Sequence, residues 1–255
     1  MSYNNIDYIN YLYFIKMNLL KWIIYNFKSI YEIKPYNNFV SINNNYCIIL
    51  TMTVNININI NLLTIKDSNE RLDIYIITIK KWLYDTNIKV VIVENSGYNF
   101  KELEYEKEFF KDRFEIISFN ENEIFPEITF DKSKGTHELY SIHYANENSN
   151  LIKNSDFMIK ITGRYFIPYL ENFISNYNLS NYLILCQFFT NYCEILGCNK
   201  QYFNNLFAKK NLNSHIETSY SERINSNNKS KILKCPILKV DTVKQGGTGY
   251  IINYL

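Results

Sequence analysis

Lys89-Val90-Val91-Ile92-Val93-Glu94-Asn95-Ser96-Gly97 is a β-branched apolar run that ends in a polar turn closed by glycine. Such a run reads as a buried strand. Upstream, Tyr46-Cys47-Ile48-Ile49-Leu50-Thr51-Met52-Thr53-Val54 is a second run of the same kind. Between them, Asp67-Ser68-Asn69-Glu70 supplies helix-start residues, and Leu72, Ile76, Ile79, Trp82 and Leu83 follow at helical spacing toward Thr86-Asn87. A strand, helix, strand unit predicts parallel pairing, with polar groups at the carboxyl ends of the strands, where open α/β sheets bind ligands. Residues 55–61 alternate Asn and Ile, the period-2 pattern of a half-exposed strand.

The pattern continues downstream. Residues 101–111 read as a charged helix, 114–119 as a strand, 137–150 as a helix with Leu139, Ile142 and Ala145 on one face, and 156–161 as a strand broken by Thr162-Gly163-Arg164-Tyr165. A helix follows Pro168, then a strand over 182–189, and residues 194–207 combine a turn at Gly197 with a short aromatic helix. The tail, with a strand near 232–240 and Gly246-Gly247-Thr248-Gly249, reads as a lid and return segment. The expected class is α/β, a mostly parallel mixed sheet flanked by helices. Residues 46–255 form one domain, preceded over 1–45 by a helical extension.

Composition excludes several alternatives. The 255 residues are 47% hydrophobic and 20% charged, which suits a folded core and argues against intrinsic disorder. A net charge of +2 lacks the basic surplus of a chain that wraps nucleic acid, so none is expected as a partner. The chain holds 38 Asn and 23 Tyr but 2 Ala, the bias of an A/T-rich genome such as those of some protists, parasites and large DNA viruses. Against that bias, the 7 glycines are expected to answer backbone needs, and Arg, found only at 71, 113, 164 and 223, stands out. Five cysteines without a Cys-x-x-Cys pair suit free thiols in a reducing compartment such as the cytoplasm. Lysines interrupt the apolar run in residues 7–31, which reads as an amphipathic or core-packed helix, with weak contact to a membrane surface as the other reading.

In the order of these features the sequence resembles nucleotide-sugar glycosyltransferases of the GT-A (Rossmann-like) fold, in particular the large inverting family of polysaccharide and related transferases. Met52-Thr53-Val54-Asn55 stands where that family carries its first turn. Val93-Glu94-Asn95-Ser96-Gly97 stands where an acidic turn recognises the nucleotide base, and Ser133-Lys134-Gly135-Thr136-His137-Glu138 where a glycine turn opens a helix. The family's metal-binding Asp-x-Asp is missing. In its place, Lys160-Ile161-Thr162-Gly163-Arg164-Tyr165 resembles transferases of bacterial and large-virus surface-glycan systems.

The resemblance implies that residues 46–165 bind a nucleotide-diphosphate sugar and 166–255 a glycan or other hydroxyl acceptor. It also implies inverting transfer with no metal and no other cofactor. Donor contacts then fall to Thr53, Asn55, Glu94 and Asn95 for a uracil-like base, and to Lys134, Gly135, Lys160, Gly163 and Arg164 for the diphosphate. Glu217 is the first candidate for the base that deprotonates the acceptor, Glu222 the second and Glu194 the third. Two other readings are a non-catalytic descendant that binds sugar nucleotides or glycans, and a sugar nucleotidyltransferase. The latter wants a glycine-rich signature after the first strand, which residues from 55 onward lack.

Overall fold

The computed structural model describes residues 44–56, 64–190, 192–210, 215–244, 249 and 251–255. Seven strands form one sheet: β1 (Tyr46–Met52), β2 (Lys89–Glu94), β3 (Phe114–Ser118), β4 (Phe157–Thr162), β5 (Ile184–Cys186), β6 (Ile195–Asn199) and β7 (Ile232–Lys234). Their order across the sheet is β3-β2-β1-β4-β6-β5-β7, and every pairing is parallel except those of β6, which runs against β4 and β5. Two further strands, β8 (Lys239–Lys244) and β9 (Ile251–Tyr254), pair as an antiparallel ribbon. The mostly parallel α/β sheet expected from the sequence is the sheet observed.

The longer helices are α1 (Ser68–Asp85), α4 (Lys134–Asn148) and α8 (Ile216–Asn225). Shorter ones are α2 (Glu104–Phe109), α3 (Glu121–Ile124), α5 (Asn150–Lys153), α6 (Leu170–Ser175) and α7 (Phe203–Leu206). Alternate residues of β1 explain the two layers. Ile48, Leu50 and Met52 pack with Tyr75, Ile79, Trp82 and Leu83 of α1, while Cys47 and Ile49 pack with Leu139, Ile142 and Ala145 of α4 and with Ile216 and Tyr220 of α8. A strand flanked on both sides and covered on both faces is nearly continuously apolar, as this one is from Cys47 to Leu50.

Local chemistry sets the helix ends. The Asp67 carboxylate caps α1 by accepting the Glu70 N–H at 2.8 Å. Ser133 caps α4, which therefore begins at Lys134, three residues before the expected start, and brings Lys134 and Gly135 into its first turn.

Other expectations need correction. The strand expected over 182–189 lasts only from Ile184 to Cys186, because Gln187 uses its side-chain oxygen to accept the Ile195 N–H at 3.1 Å and closes the chain toward β6. Gly197 is not in a turn but inside β6, where a Cβ would sit 2.8 Å from the Met158 carbonyl. The strand near 232–240 is split into β7 and β8 around Pro236, which has no N–H to give a ladder. The charged helix over 101–111 is a 3₁₀ turn followed by α2. Of the Asn/Ile run, Asn55 and Ile56 are not in a strand, and 57–61 lie outside the described residues, as do most of the 1–45 extension and all of 245–248.

Only Gly97 and Gly249 among the described glycines take positive φ, at 80° and 70°. Gly135, Gly163 and Gly197 are required instead by close approach. At Gly135 a Cβ would lie 2.1 Å from Ile216 Cγ2 and 2.8 Å from Ile216 Cβ, so glycine is what lets the first turns of α4 and α8 meet. Gly135→Ala is expected to destabilise the fold by about 1–3 kcal/mol through overpacking. Ile216→Ala in the same chain should recover part of that loss in a denaturant melt; strict additivity of the two would contradict the contact.

Candidate active site

Strands β1, β2 and β4 are parallel, so their carboxyl ends share one edge, and the reversed direction of β6 brings the residues before it to the same edge. Chain order also reverses here: β2 and β3 lie to one side of β1 and β4 to the other. A cleft of about 380 Å³ opens at this switch point. Its walls come from the end of β1 (Thr51, Met52, Thr53), Asn95 after β2, and Arg71 and Tyr75 of α1. Others come from the first turns of α4 (Lys134, Gly135, His137, Glu138), β4 and the turn after it (Lys160, Thr162, Arg164), Cys193 and Glu194 before β6, and Glu217 of α8.

Thr53, Asn95, Lys134, Gly135, Lys160, Arg164, Glu194 and Glu217, all singled out from the sequence, thus line one cleft. Asn55, Glu94, Gly163 and Glu222 do not. Glu94 is fully buried, and its carboxylate accepts the N–H groups of Val54 (3.0 Å), Ser96 (3.0 Å) and Tyr98 (2.7 Å) and the Ser96 hydroxyl. Burial raises its pKa, and these bonds oppose the rise. Glu94 therefore builds the turn that presents Asn95 and offers no oxygen to a ligand. Asn55 is exposed outside the cleft, with its N–H donated to Ser96 Oγ at 3.0 Å. Glu222 is exposed on α8, about 140° around the helix from Glu217.

Gly163 works from behind the site. Its N–H donates to the Thr51 carbonyl at 3.0 Å, and a Cβ there would meet Met52 Cγ at 2.4 Å. Only glycine lets the turn after β4 press on the end of β1. The Thr78 hydroxyl donates to the Arg164 carbonyl at 3.3 Å and the Trp82 indole N–H to that of Tyr165 at 3.0 Å, so α1 holds the turn that carries Arg164.

The cations divide into two kinds. Lys160 is buried, and its ammonium meets Glu138 Oε2 at 2.8 Å, the Cys193 carbonyl at 2.7 Å and Thr162 Oγ1 at 3.3 Å. Three donors meet three acceptors, which leaves no N–H for a phosphate. Burial alone would lower its pKa, but Glu138, Cys193 and Glu194 together hold it above the ordinary lysine value. Arg71, Lys134 and Arg164 are the other kind. Burial lowers the pKa of Arg71 and of Lys134, and the charge of Arg164 pushes both further the same way. Three positive groups thus share one field, and Nε of Arg164 is buried with no hydrogen-bond partner. The amino end of α4 adds its dipole to them.

A second set of bonds ties β1 to α4. Thr53 Oγ1 donates to Asn95 Oδ1 (2.6 Å), Asn95 Nδ2 to Glu121 Oε1 (2.9 Å), Glu121 Oε2 contacts His137 Nδ1, and His137 Nε2 faces the Asp131 carbonyl (2.8 Å). Burial would lower the His137 pKa, but Glu121 and the Asp131 carbonyl raise it above 6.5. Arg71, Glu138, His137 and Glu121 escaped the sequence reading, since charges in an amphipathic helix look like solvated surface. The scarcity of arginine was the one signal that could have found Arg71, which anchors α1 through Nε to the Thr53 carbonyl at 2.6 Å.

Among the described residues no group of three or more His, Cys, Asp or Glu side chains is gathered to hold a metal ion, no cysteine is paired in a disulfide, and no helix is long and apolar enough to cross a membrane. No protein-family model and no curated protein matches the chain. Solved structures similar to it include a protein of Desulfovibrio desulfuricans classed as a nucleotide-diphospho-sugar transferase, at 13% identity and TM-score 0.43 over 76% of this chain and 80% of that one. Another is the glycosyltransferase GlyE of Streptococcus pneumoniae, at 8% and 0.45 over 76% of this chain and 45% of that one. A cytidylyltransferase of Leptospira borgpetersenii follows at 12% and 0.44, over 82% of each chain. Likenesses at this level decide neither activity nor substrate.

Two outcomes test the geometry. Glu138→Ala strands the buried Lys160 charge and is expected to cost about 3–5 kcal/mol. Lys160→Met leaves Glu138 on the cleft wall within reach of water and should cost clearly less; the reverse order in chemical denaturation would contradict the pairing. Because the folded-state pKa of His137 lies above its ordinary 6.5, its pair with Glu121 contributes fully below that pH and fades as pH rises through the folded value. The melting temperature of the wild type should therefore fall more from about pH 6 to about pH 9 than that of His137→Gln.

Proposed function

We propose that the chain is a glycosyltransferase that moves a sugar from a nucleoside-diphosphate donor to a glycan or other hydroxyl acceptor, with inversion and without a metal ion. The observation that carries this reading is the cluster of Arg71, Lys134 and Arg164 around one cleft at a sheet switch point, with an Arg164 Nε–H buried and unmatched. A diphosphate supplies an acceptor for the unmatched Arg164 N–H and negative charge for the cluster as a whole. Lys160, paired elsewhere, drops out of the donor set, and Arg71 joins Lys134 and Arg164 in its place.

In this reading the diphosphate lies between Arg164 and the first turn of α4, and the base end of the donor reaches Thr53 and Asn95. Glu217 is exposed at the cleft, in the first turn of α8 and within the electrostatic reach of Lys134. It takes the proton of the acceptor hydroxyl. The acceptor oxygen forms its bond to the anomeric carbon while the bond to the diphosphate breaks, and the electron pair leaves with the diphosphate. The cations stabilise the charge that grows there. Of the other two carboxylates that line the cleft, Glu138 is engaged by Lys160 and Thr51, which leaves Glu194 as the alternative.

Arg164→Ala should weaken UDP binding by roughly 10- to 150-fold, the equivalent of about 1.5–3 kcal/mol for a charge-assisted contact. Glu217→Ala should leave that affinity nearly unchanged and lower turnover by about 100- to 10,000-fold. Calorimetry with UDP in EDTA and a donor-consumption assay check both. Binding that needs manganese or magnesium would overturn the cation-held diphosphate, and UDP binding without turnover of any sugar nucleotide would favour a non-catalytic binding protein.

A further inference from the structure

The side chains at the carboxyl ends of β1 and β2 are joined by hydrogen bonds of a single polarity. A carboxylate only accepts, so Asn95 Nδ2 donates to Glu121 at 2.9 Å and Oδ1 is turned toward Thr53. The Thr53 hydroxyl gives its one proton to that oxygen at 2.6 Å and keeps only lone pairs for the cleft. Asn95 keeps one amide N–H and one lone pair. At the far end, His137 Nε2 must donate to the Asp131 carbonyl at 2.8 Å, and the contact of Nδ1 with Glu121 holds a second proton. Asn95, Glu121 and His137 are all buried, so water does not compete freely for these bonds. The charged groups facing His137 are Glu121 from α3 and Asp131 from the turn before α4, while Lys134 and Glu138 of its own helix line the same cleft.

We propose that His137 is a positioning residue: through Glu121 it fixes the Asn95 amide, so that the base end of the cleft offers a set acceptor, Thr53 Oγ1, beside a set donor, the free Asn95 N–H, and selects a ligand edge with an N–H next to a lone pair. The proposal rests on the reading of the cleft as a nucleoside-diphosphate site and adds to it what discriminates the base. It does not use Arg164 and Lys134, the cations assigned to the diphosphate, while Arg71 holds the Thr53 carbonyl from behind. Once one proton leaves His137, one ring nitrogen turns a lone pair toward an acceptor, Glu121 or the Asp131 carbonyl; the ring loses one of the two contacts through which it holds Glu121 in place, and the Asn95 amide can flip and erase the pattern.

The probes are UDP, which carries such an edge, and inorganic pyrophosphate, which carries none. Calorimetry at about pH 6, 7.5 and 9 compares the wild type with His137→Gln, so that the titration of each ligand cancels in the ratio. At about pH 6 the wild type should bind UDP roughly tenfold more tightly than the variant, and the ratio should fall toward one near pH 9. The pyrophosphate ratio should stay near one throughout. A UDP ratio of one at pH 6, a ratio indifferent to pH, or a parallel loss for pyrophosphate overturns the proposal.

Thr53→Val, at the other end of the chain of bonds, serves if His137→Gln does not fold. It should lose about tenfold for UDP and nothing for pyrophosphate, and no loss for UDP overturns the proposal. A wild type that binds pyrophosphate but gains nothing from the uridine overturns this proposal alone, whereas one that binds neither overturns the anion-cleft reading and this proposal with it.

Discussion

β1 is buried on both faces and parallel to both neighbours, and no tight turn can join parallel strands. The connections must cross over one face or the other, and α1 and α4 take opposite faces because alternate residues of β1 fill opposite layers. Crossing in two directions parts the chain at the carboxyl end of β1, and the cleft occupies that gap. The close approaches at Gly163 and Gly135 follow from the same demand. One seats the turn after β4 on β1, and the other seats α8 on α4.

Inside the gap the polar groups sort by what remains for them to do. Glu94 and Lys160 spend every hydrogen-bonding position on the protein and hold the walls in place. Glu138 bridges these roles, since it accepts the Thr51 hydroxyl at 2.6 Å, meets Lys160 and still borders the cleft. Arg164 and Lys134 lie within each other's electrostatic reach, and burial and then Arg164 lower the Lys134 pKa while Glu217 and Glu138 pull the other way. An anion would relieve the repulsion between them, which is the ground for the proposed diphosphate site.

The sheet was legible in the sequence because its strands are buried on both faces and appear as continuous apolar runs, and because α1 carries a capping aspartate and a regular stripe. β5 was legible but shorter than expected, and β6 was not: Gly197 looked like a turn, and only the Met158 carbonyl beside it shows why a strand needs glycine there. Of the site, the residues after strands were readable from position alone, as at Asn95 and Arg164. Position could not tell a side chain that faces the cleft from one that faces the turn, so Glu94 and Asn95 looked equivalent although only Asn95 borders the cleft. Arg71 and Glu138 were hidden by helical context, because their role depends on contacts across the sheet edge that no local pattern encodes.

The central claim is that side-chain cations of this cleft, and not a metal ion, hold the diphosphate of a sugar nucleotide. A crystal structure with UDP, grown with manganese present, tests it most directly. The account predicts diphosphate oxygens within hydrogen-bonding distance of Arg164 Nε and Lys134 Nζ, with no manganese between them and the protein. A nucleotide seated elsewhere, or a manganese ion bridging the diphosphate to Glu194 or Glu217, would contradict it.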